Sequence, residues 1–384
     1  MQVVLNVMAM TATMLFAGAV SAQDLIVKIG HVGPISGGLA AAGKENENGV
    51  RMAIDELNAK GVSIGGAKAR FELVALDDAA SPTQAVAAAQ RLVDAKVNGV
   101  VGHLTSGTSI AASKVYDGAG IPEISPSSTS PKYTRNGYKT AFRVLADDTQ
   151  VGGALGRYAV KEMKDARFAL IDDGSSYGQG LAAEFSKAVK AAGGSIVDAQ
   201  STNSMATNYI SSDFTAVLTA VKPKNPNVVF FAGMNAQAGP MISQMKQLGI
   251  DAKFMGGDGL CTNDLPTLAA GAMANGQVVC GSPGGVEWAA PEMTRFANDY
   301  MAKFGIGTQY YAPYAYDAVM IMADAMVRAG SSDPAKYLPA LAATSGYRGL
   351  SGTISFDDKG DIRNGAVTLY TYNGGKKGSI GVVQ

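Results

Sequence analysis

Two hydroxyl-rich turns have the residue types best suited to binding chemistry: residues 102–109 (GHLTSGTS) and residues 124–131 (ISPSSTSP). Each turn follows a short apolar run that indicates a buried strand, and the first turn leads into a helical pattern. Hydroxyls and free backbone N–H groups at strand ends and helix N-termini can bind a small anion such as a carboxylate. Helix capping and turn formation also explain most Ser and Thr clusters. Both interpretations stay open on the turns alone.

Asp258 is a second candidate, because it follows a predicted strand among glycines in residues 254–259 (FMGGDG). A carboxylate there can face a cleft and hold an ammonium group, although Asp beside Gly is commonly a turn residue. Tyr177 opens a predicted helix after the strand-end loop, where it can contact a ligand or pack between lobes. The tyrosine-rich segment 310–316 is typical of the buried face of a helix.

Catalytic and cofactor-binding motifs are mostly absent. The glycine-rich segment 30–38 lacks the G-x-G-x-x-G spacing that lets a backbone approach a pyrophosphate, and no Walker motif occurs. With His31 and His103 as the only histidines, we expect no metal site and no cofactor. Catalysis would have to rest on carboxylates such as Asp172 or Asp258. The sequence therefore favours a binding protein over an enzyme.

Composition and the N-terminus indicate an exported protein with two domains. Residues 1–22 are apolar and end in small residues, which predicts a signal peptide cleaved after Ala22, although no Lys or Arg precedes Lys28. The roughly 360 residues that follow are too many for one core. Lys plus Arg and Asp plus Glu both number 32, so no net charge attracts nucleic acid.

Cys261 and Cys280 are the only cysteines. In an exported chain, two cysteines are expected to form a disulfide. Two separate buried thiols are the alternative.

Strand and helix patterns alternate in two successive units, the second beginning near residue 148. Predicted strands include residues 25–30, 71–76, 168–171, 228–231 and 254–255, and the first helix is expected to end at Gly61. Toward the C-terminus, residues 353–356 and 366–372 are predicted strands around a turn at 357–360. Alternation of this kind predicts doubly wound α/β sheets, which bind ligands at the carboxyl ends of their strands.

This set of residues resembles the exported substrate-binding proteins of branched-chain amino-acid ABC transporters, of the Leu/Ile/Val type. The resemblance runs from Ile26 to about Tyr372. It rests on these motifs in order: GPISG (33–37), DELNAKG (55–61), DD (77–78), GH (102–103), SPSST (125–129), YG (177–178) and FDDKGD (356–361).

The resemblance implies a type I periplasmic binding protein fold, in which two Rossmann-like doubly wound lobes are joined by three hinge crossovers. Lobe I would comprise residues 23–147 plus 283–352, and lobe II residues 148–282 plus 353–384. The crossovers would lie near residues 147, 282 and 352.

The resemblance also implies site residues. The ligand carboxylate would meet Ser106, Ser127 and Thr129, and Asp258 would hold the ligand amine. Tyr177 and Tyr311 would border the ligand. Ala42 and Met234 stand where relatives often have tyrosines, which would make the pocket wider or less polar.

The function implied is that of a monomeric periplasmic receptor that delivers an amino acid, of the branched-chain type, to a membrane permease. Alternatives are a receptor for another small amide or aromatic acid, and the ligand-sensing module of a signalling system. An enzyme acting through Asp258 or Asp172 is a third.

Overall fold

A computed structural model describes residues 24–163, 166–203, 209–210, 212–285 and 290–383. These residues form two mainly parallel sheets with helices on both faces, which is the doubly wound arrangement predicted. The predicted signal peptide, residues 1–22, lies outside the described residues. No helix in the described ranges combines the length and apolar character needed to cross a membrane.

The first sheet contains the six N-terminal strands in the order β2-β3-β1-β4-β5-β6, and only β2 is antiparallel to its neighbour. The strands are β1 (Leu25–Gly33), β2 (Ser63–Ile64), β3 (Ala67–Asp77), β4 (Gly99–Gly102), β5 (Glu123–Ser125) and β6 (Ala141–Arg143). Helices cover both faces, so β4 is buried throughout and consists of apolar residues and glycine.

The second sheet has seven strands in the order β15-β14-β11-β10-β9-β7-β8. They are β7 (Arg167–Asp172), β8 (Ser195–Ser201), β9 (Val228–Ala232), β10 (Lys253–Gly256), β11 (Val278–Pro283), β14 (Val367–Asn373) and β15 (Lys376–Val383). Strands β14 and β15 are antiparallel additions at one edge. A separate two-stranded pair is formed by β12 (Tyr347–Arg348) and β13 (Thr353–Ile354).

The helices connect and cover these strands. They are α1 (Ala40–Lys60), α2 (Pro82–Asp94), α3 (Ser106–Ala119), α4 (Asp148–Glu162), α5 (Ser176–Ala191), α6 (Thr215–Val221), α7 (Asn235–Gln247), α8 (Leu265–Leu268), α9 (Pro291–Phe304), α10 (Ala312–Ala329) and α11 (Pro334–Ala342).

Local sequence signals set the helix ends, and the predicted end of the first helix at Gly61 is found. Gly61 ends α1 in the left-handed conformation, with φ of 65°. Ser81 caps α2 by accepting a hydrogen bond from the Gln84 N–H, and Pro82 occupies the first turn.

Each sheet has its own apolar core. Val27 and Val101 of the first sheet pack with Met322 of α10. Helix α10, although it follows the second sheet in the chain, therefore packs on the first sheet. In the second core, Phe185 of α5 stacks on Phe230 of β9 with ring centroids 3.7 Å apart. We call the first sheet with α1–α3 and α9–α11 the first lobe, and the second sheet with α4–α8 the second lobe.

The C-terminal crossing differs from the sequence prediction. Strand β13 pairs with β12, and β14 pairs with β11, so the two predicted strands around the turn at 357–360 do not pair with each other. Phe356 packs on Phe142 in the first lobe, with ring centroids 5.0 Å apart. Phe356 and Ile362 thus pack in the core of the first lobe, and the chain then enters β14 of the second sheet at Val367.

The predicted disulfide between Cys261 and Cys280 is confirmed, with Cα atoms 5.5 Å apart. Cys280 lies on β11, and Cys261 follows the turn that contains Asp258. The bond thus attaches that turn to the second sheet.

We expect the double substitution Cys261→Ser and Cys280→Ser to lower the free energy of unfolding by roughly 3 kcal/mol. The reason is that the bond joins residues 19 positions apart and restricts the unfolded chain. Urea denaturation followed by circular dichroism measures the change. A reducing agent should weaken the unaltered protein by a similar amount and leave the variant unaffected. Equal stability of the two proteins would contradict the expectation.

Candidate functional site

A cavity of about 250 Å³ lies between the lobes, at the carboxyl ends of the strands. The first lobe contributes residues at the start of α1, the start of α3 and the segment before α10; the second lobe contributes residues that follow β7, β9 and β10. Seven of the residues predicted from the sequence line this cavity: Ala42, Ser106, Ser127, Tyr177, Met234, Asp258 and Tyr311.

Thr129 is the predicted site residue that does not line the cavity. Its side chain is completely buried and lies beside the carboxyl group of Asp148, the first residue of α4. The Thr129 carbonyl accepts the Asp148 N–H at 2.9 Å. Thr129 therefore joins the second hydroxyl turn to the second lobe behind the cavity wall.

Asp258 lies at the centre of the site and is hydrogen-bonded to both lobes. Its carboxylate accepts the hydroxyl of Tyr177, from α5, at 3.1 Å and the hydroxyl of Tyr311, from the first lobe, at 3.0 Å. The Tyr177 hydroxyl in turn accepts the N–H of Gly259 at 3.1 Å. The carboxylate is thus held in one orientation between two aromatic side chains.

No cation accompanies this carboxylate. Asp258 is buried, and among the described residues no Lys, Arg or His side chain lines the cavity. Burial raises the pKa of Asp258 to about 6, while the hydrogen bonds from Tyr311 and Tyr177 oppose the rise. A buried carboxylate without a cation is costly, and a bound ammonium group would remove much of that cost.

A second buried carboxyl group, that of Asp148, lies near Asp258. Neither of its oxygens has a hydrogen-bond partner among the described groups. Burial and the negative charge of Asp258 raise the pKa of Asp148 well above its usual range. Asp148 was not predicted, because nothing in its local sequence distinguishes it from an ordinary residue in the first turn of a helix.

The first hydroxyl turn places the N-terminus of α3 at the cavity. Thr105 caps the helix by accepting the N–H of Thr108, and Ser106 is its first residue. Ser106 Oγ accepts the Ser130 N–H at 3.1 Å, so its own hydrogen remains available to a ligand. The first N–H groups of a helix lack partners within it, and together they favour a bound anion.

The Ser127 hydroxyl, by contrast, has a partner within the protein. It donates to the Leu104 carbonyl at 2.9 Å and accepts the Asn46 side-chain N–H at 3.3 Å. Ser127 therefore fixes the second turn against the first, although it also borders the cavity.

Two buried side chains hold the hydroxyl turns. Arg143 donates to the carbonyls of Ser128 at 2.7 Å and Ser130 at 2.9 Å, and pairs with Asp361 at 2.6 Å. The pKa of Asp361 is lowered; burial opposes this, but the charge of Arg143 and hydrogen bonds outweigh it. Sequence reasoning missed Arg143, because its partner Asp361 lies 218 residues further along the chain and no local pattern links the two.

His103 is the other anchor. Its carbonyl accepts the hydroxyls of Ser125 at 3.0 Å and Ser127 at 3.3 Å. Its ring lies between Asp78, at 2.7 Å, and Tyr116, at 3.1 Å. The turns are therefore held by hydrogen bonds within the protein.

Glu45 of α1 is a cavity residue that sequence reasoning missed. Its Oε1 accepts the backbone N–H groups of Gln309 at 2.9 Å, Tyr310 at 2.7 Å and Ala312 at 3.3 Å. Burial raises the pKa of Glu45 to about 7, and these hydrogen bonds oppose the rise. Glu45 lies three residues after the candidate Ala42, and that spacing, which places both on one face of α1, is the signal that could have found it.

The rest of the wall is largely apolar. Leu39, Leu104 and Leu268 line the cavity together with Ala42 and Met234. Such a wall suits an aliphatic group on a ligand whose polar atoms meet Asp258 and α3.

The family described as Periplasmic binding protein matches residues 26–378. The Leu/Ile/Val-binding protein homolog 1 of Brucella abortus is 34% identical over 376 residues, which cover 98% of this chain and 97% of the relative. The leucine-, isoleucine-, valine-, threonine-, and alanine-binding protein of Pseudomonas aeruginosa is 33% identical over 358 residues, which cover 93% and 92% of the two chains.

A solved structure agrees with these relatives. The branched-chain amino acid transporter substrate binding protein LivJ of Streptococcus pneumoniae, in complex with isoleucine, matches with a TM-score of 0.81 and 29% identity. The match covers 93% of this chain and 98% of that protein. These similar proteins are binding proteins, which confirms the predicted fold class and the expectation that the protein is not an enzyme. The chain belongs to the periplasmic binding protein family, with the two-lobed type I fold of its branched-chain amino-acid-binding members.

Proposed function

We propose that this protein captures a free amino acid in the cavity between its lobes. The ligand ammonium group pairs with Asp258, and the ligand carboxylate meets Ser106 and the N-terminus of α3. Ser127 and Thr129 support the carboxylate side through the second hydroxyl turn. The observation that carries the proposal is the buried Asp258 carboxylate in a cavity whose described lining contains no cation.

The same observation weighs against the alternative ligands. An aromatic acid without an ammonium group leaves Asp258 unpaired. An acidic amino acid adds a second carboxylate where, among the described lining residues, no Lys, Arg or His side chain can neutralise it. A zwitterion with an uncharged side chain matches both ends of the site.

Branched-chain amino acids are the first ligands to test. The apolar wall formed by Leu39, Leu104 and Leu268 suits an aliphatic side chain. The names of both relatives include leucine, isoleucine and valine, and the similar solved structure contains isoleucine. Ligand at about one hundred times Kd stabilises a protein by about 2.7 kcal/mol, which a thermal-shift panel detects.

In this function the protein is a monomeric periplasmic receptor, exported with cleavage after Ala22, that delivers its ligand to the permease of an ABC transporter. The similar protein of Streptococcus pneumoniae is the substrate binding protein of a branched-chain amino acid transporter, which supports this role. A sensing module of a signalling system would use the same lobes and the same site. The genes beside its own distinguish the two roles: a permease gene supports transport, and a receptor gene supports sensing.

We expect Asp258→Asn to weaken amino-acid binding at least roughly tenfold, because losing one member of a desolvated charge pair costs about 2–5 kcal/mol. The substitution keeps the shape of the side chain, and because its amide nitrogen is a donor, one of the two tyrosine hydroxyls must accept a hydrogen bond instead of donating one. Isothermal titration with isoleucine, leucine and valine measures the effect on protein freed of carried-over ligand. Asp251→Asn, at an exposed residue of the same lobe, is the matched control. Equal affinity in both variants would rule out the assigned role of Asp258.

Amino-acid affinity should also depend on pH. Burial raises the pKa of Asp258 to about 6 in the free protein, and a bound ammonium group favours the ionised form. The complex therefore holds fewer protons than the free protein below this pKa, so affinity falls as pH decreases from about 6, approaching roughly tenfold per pH unit.

Titrations between about pH 5 and pH 8 check this dependence on Asp258 ionisation. Asp258→Asn removes the ionisable group and should flatten the profile. A profile that keeps its shape in that variant would assign the titration to another carboxyl group.

A further inference from the structure

The cavity has a second set of hydrogen-bond acceptors besides Asp258. Glu45 and Gln309, both of the first lobe, line it, and the Gln309 N–H donates to Glu45. The side-chain oxygen of Gln309 is buried and has no hydrogen-bond partner among the described groups. We call this pair the Glu45–Gln309 acceptor pair.

Glu45 retains acceptor capacity although it is tied to the backbone. Its bonds to the N–H groups of Gln309, Tyr310 and Ala312 all go to Oε1. A carboxyl group has acceptor positions on both oxygens, so Oε2 can still receive a donor from the cavity. Glu45 itself is only 4% exposed, so bulk water is largely excluded from this end of the site.

The position of Glu45 on α1 relates the acceptor pair to the ligand side chain. Glu45 lies one helical turn after Ala42 on the same face, and Ala42 also lines the cavity. In the proposed function, the ligand ammonium group binds Asp258 and the ligand carboxylate binds the N-terminus of α3. Asn235, Thr262 and Asp264 also line the cavity but hydrogen-bond to one another, so the acceptor pair is left for the side chain.

A purely hydrocarbon side chain would leave these acceptors unmatched. A buried acceptor without a donor costs free energy, whereas a hydroxyl or amide N–H placed against it recovers that cost. Sites built to hydrogen-bond a ligand group discriminate strongly against analogues that lack the group.

We propose that the Glu45–Gln309 acceptor pair is a side-chain subsite that selects amino acids carrying a neutral hydrogen-bond donor, a hydroxyl or a carboxamide, over apolar amino acids of the same shape. This inference rests on the proposed amino-acid receptor function and defines its ligand class more closely. Burial raises the pKa of Glu45 to about 7, so near neutral pH the carboxyl carries only part of a negative charge. A neutral donor satisfies these acceptors without bringing a second charge into the buried site.

Isosteric ligands test the proposal directly. Threonine matches valine in shape, and asparagine matches leucine, but only the first of each pair carries a side-chain donor. We expect the unaltered protein to bind threonine more tightly than valine, and asparagine more tightly than leucine, in competition titrations. The two ratios test the subsite in the native protein without any substitution.

Two variants test whether Gln309 and Glu45 cause the preference for threonine over valine. Gln309→Met removes the polar atoms while keeping an unbranched side chain, and should lower the threonine-to-valine affinity ratio by about tenfold. Glu45→Gln keeps an acceptor for the backbone N–H groups and should lower the ratio less. Gln247→Met makes the same chemical change at an exposed position ending α7, away from the cavity, and should leave the ratio unchanged.

The outcomes separate this inference from the proposed function. Tighter binding of valine and leucine than of their polar isosteres, with ratios unaffected by Gln309→Met, overturns the subsite and leaves the receptor function standing. Failure of every amino acid to bind overturns both. Circular dichroism confirms that each variant is folded, and a variant that does not fold leaves the native ratios to decide.

Discussion

The site is organised around one constraint, a carboxylate buried without a cation. Asp258 lies in the interlobe cavity, and the described groups that donate hydrogen bonds to it are neutral, notably the hydroxyls of Tyr177 and Tyr311. Because these tyrosines come from different lobes, the carboxylate has its full set of hydrogen bonds only when the lobes are together. The Asp258 carboxylate therefore links binding of the ligand ammonium group to the closing of the two lobes. Such closing is a hinge motion typical of binding proteins of this architecture.

The surrounding structure keeps the opposing faces of the cavity in place. The disulfide attaches the Asp258 turn to β11, and Arg143 with His103 fixes the two hydroxyl turns of the first lobe. Few of these groups are free to rearrange, because their hydrogen bonds are already made inside the protein. Preorganisation of this kind lowers the entropy lost when a small ligand binds.

Much of the fold followed from local patterns in the sequence. Apolar runs located the central strands, and Gly61 located the end of the first helix, because left-handed helix ends depend on neighbouring residues. The C-terminal segment was harder to predict. Residues 353–356 and 366–372 resemble a strand pair locally, yet they belong to different lobes, since Phe356 packs in the first core and β14 joins β11.

The sequence by itself determined the chemistry available: hydroxyl turns at strand ends, an acidic residue after another strand, and two cysteines suited to a disulfide. Tertiary structure decided which of these groups meet. It placed Tyr311 against Asp258, Arg143 against Asp361 and Glu45 against the start of α10, and it placed Thr129 behind the cavity wall. These contacts join residues far apart in the chain, so no local pattern encodes them. They form only when the crossings between lobes bring the ends of both sheets together around one cavity.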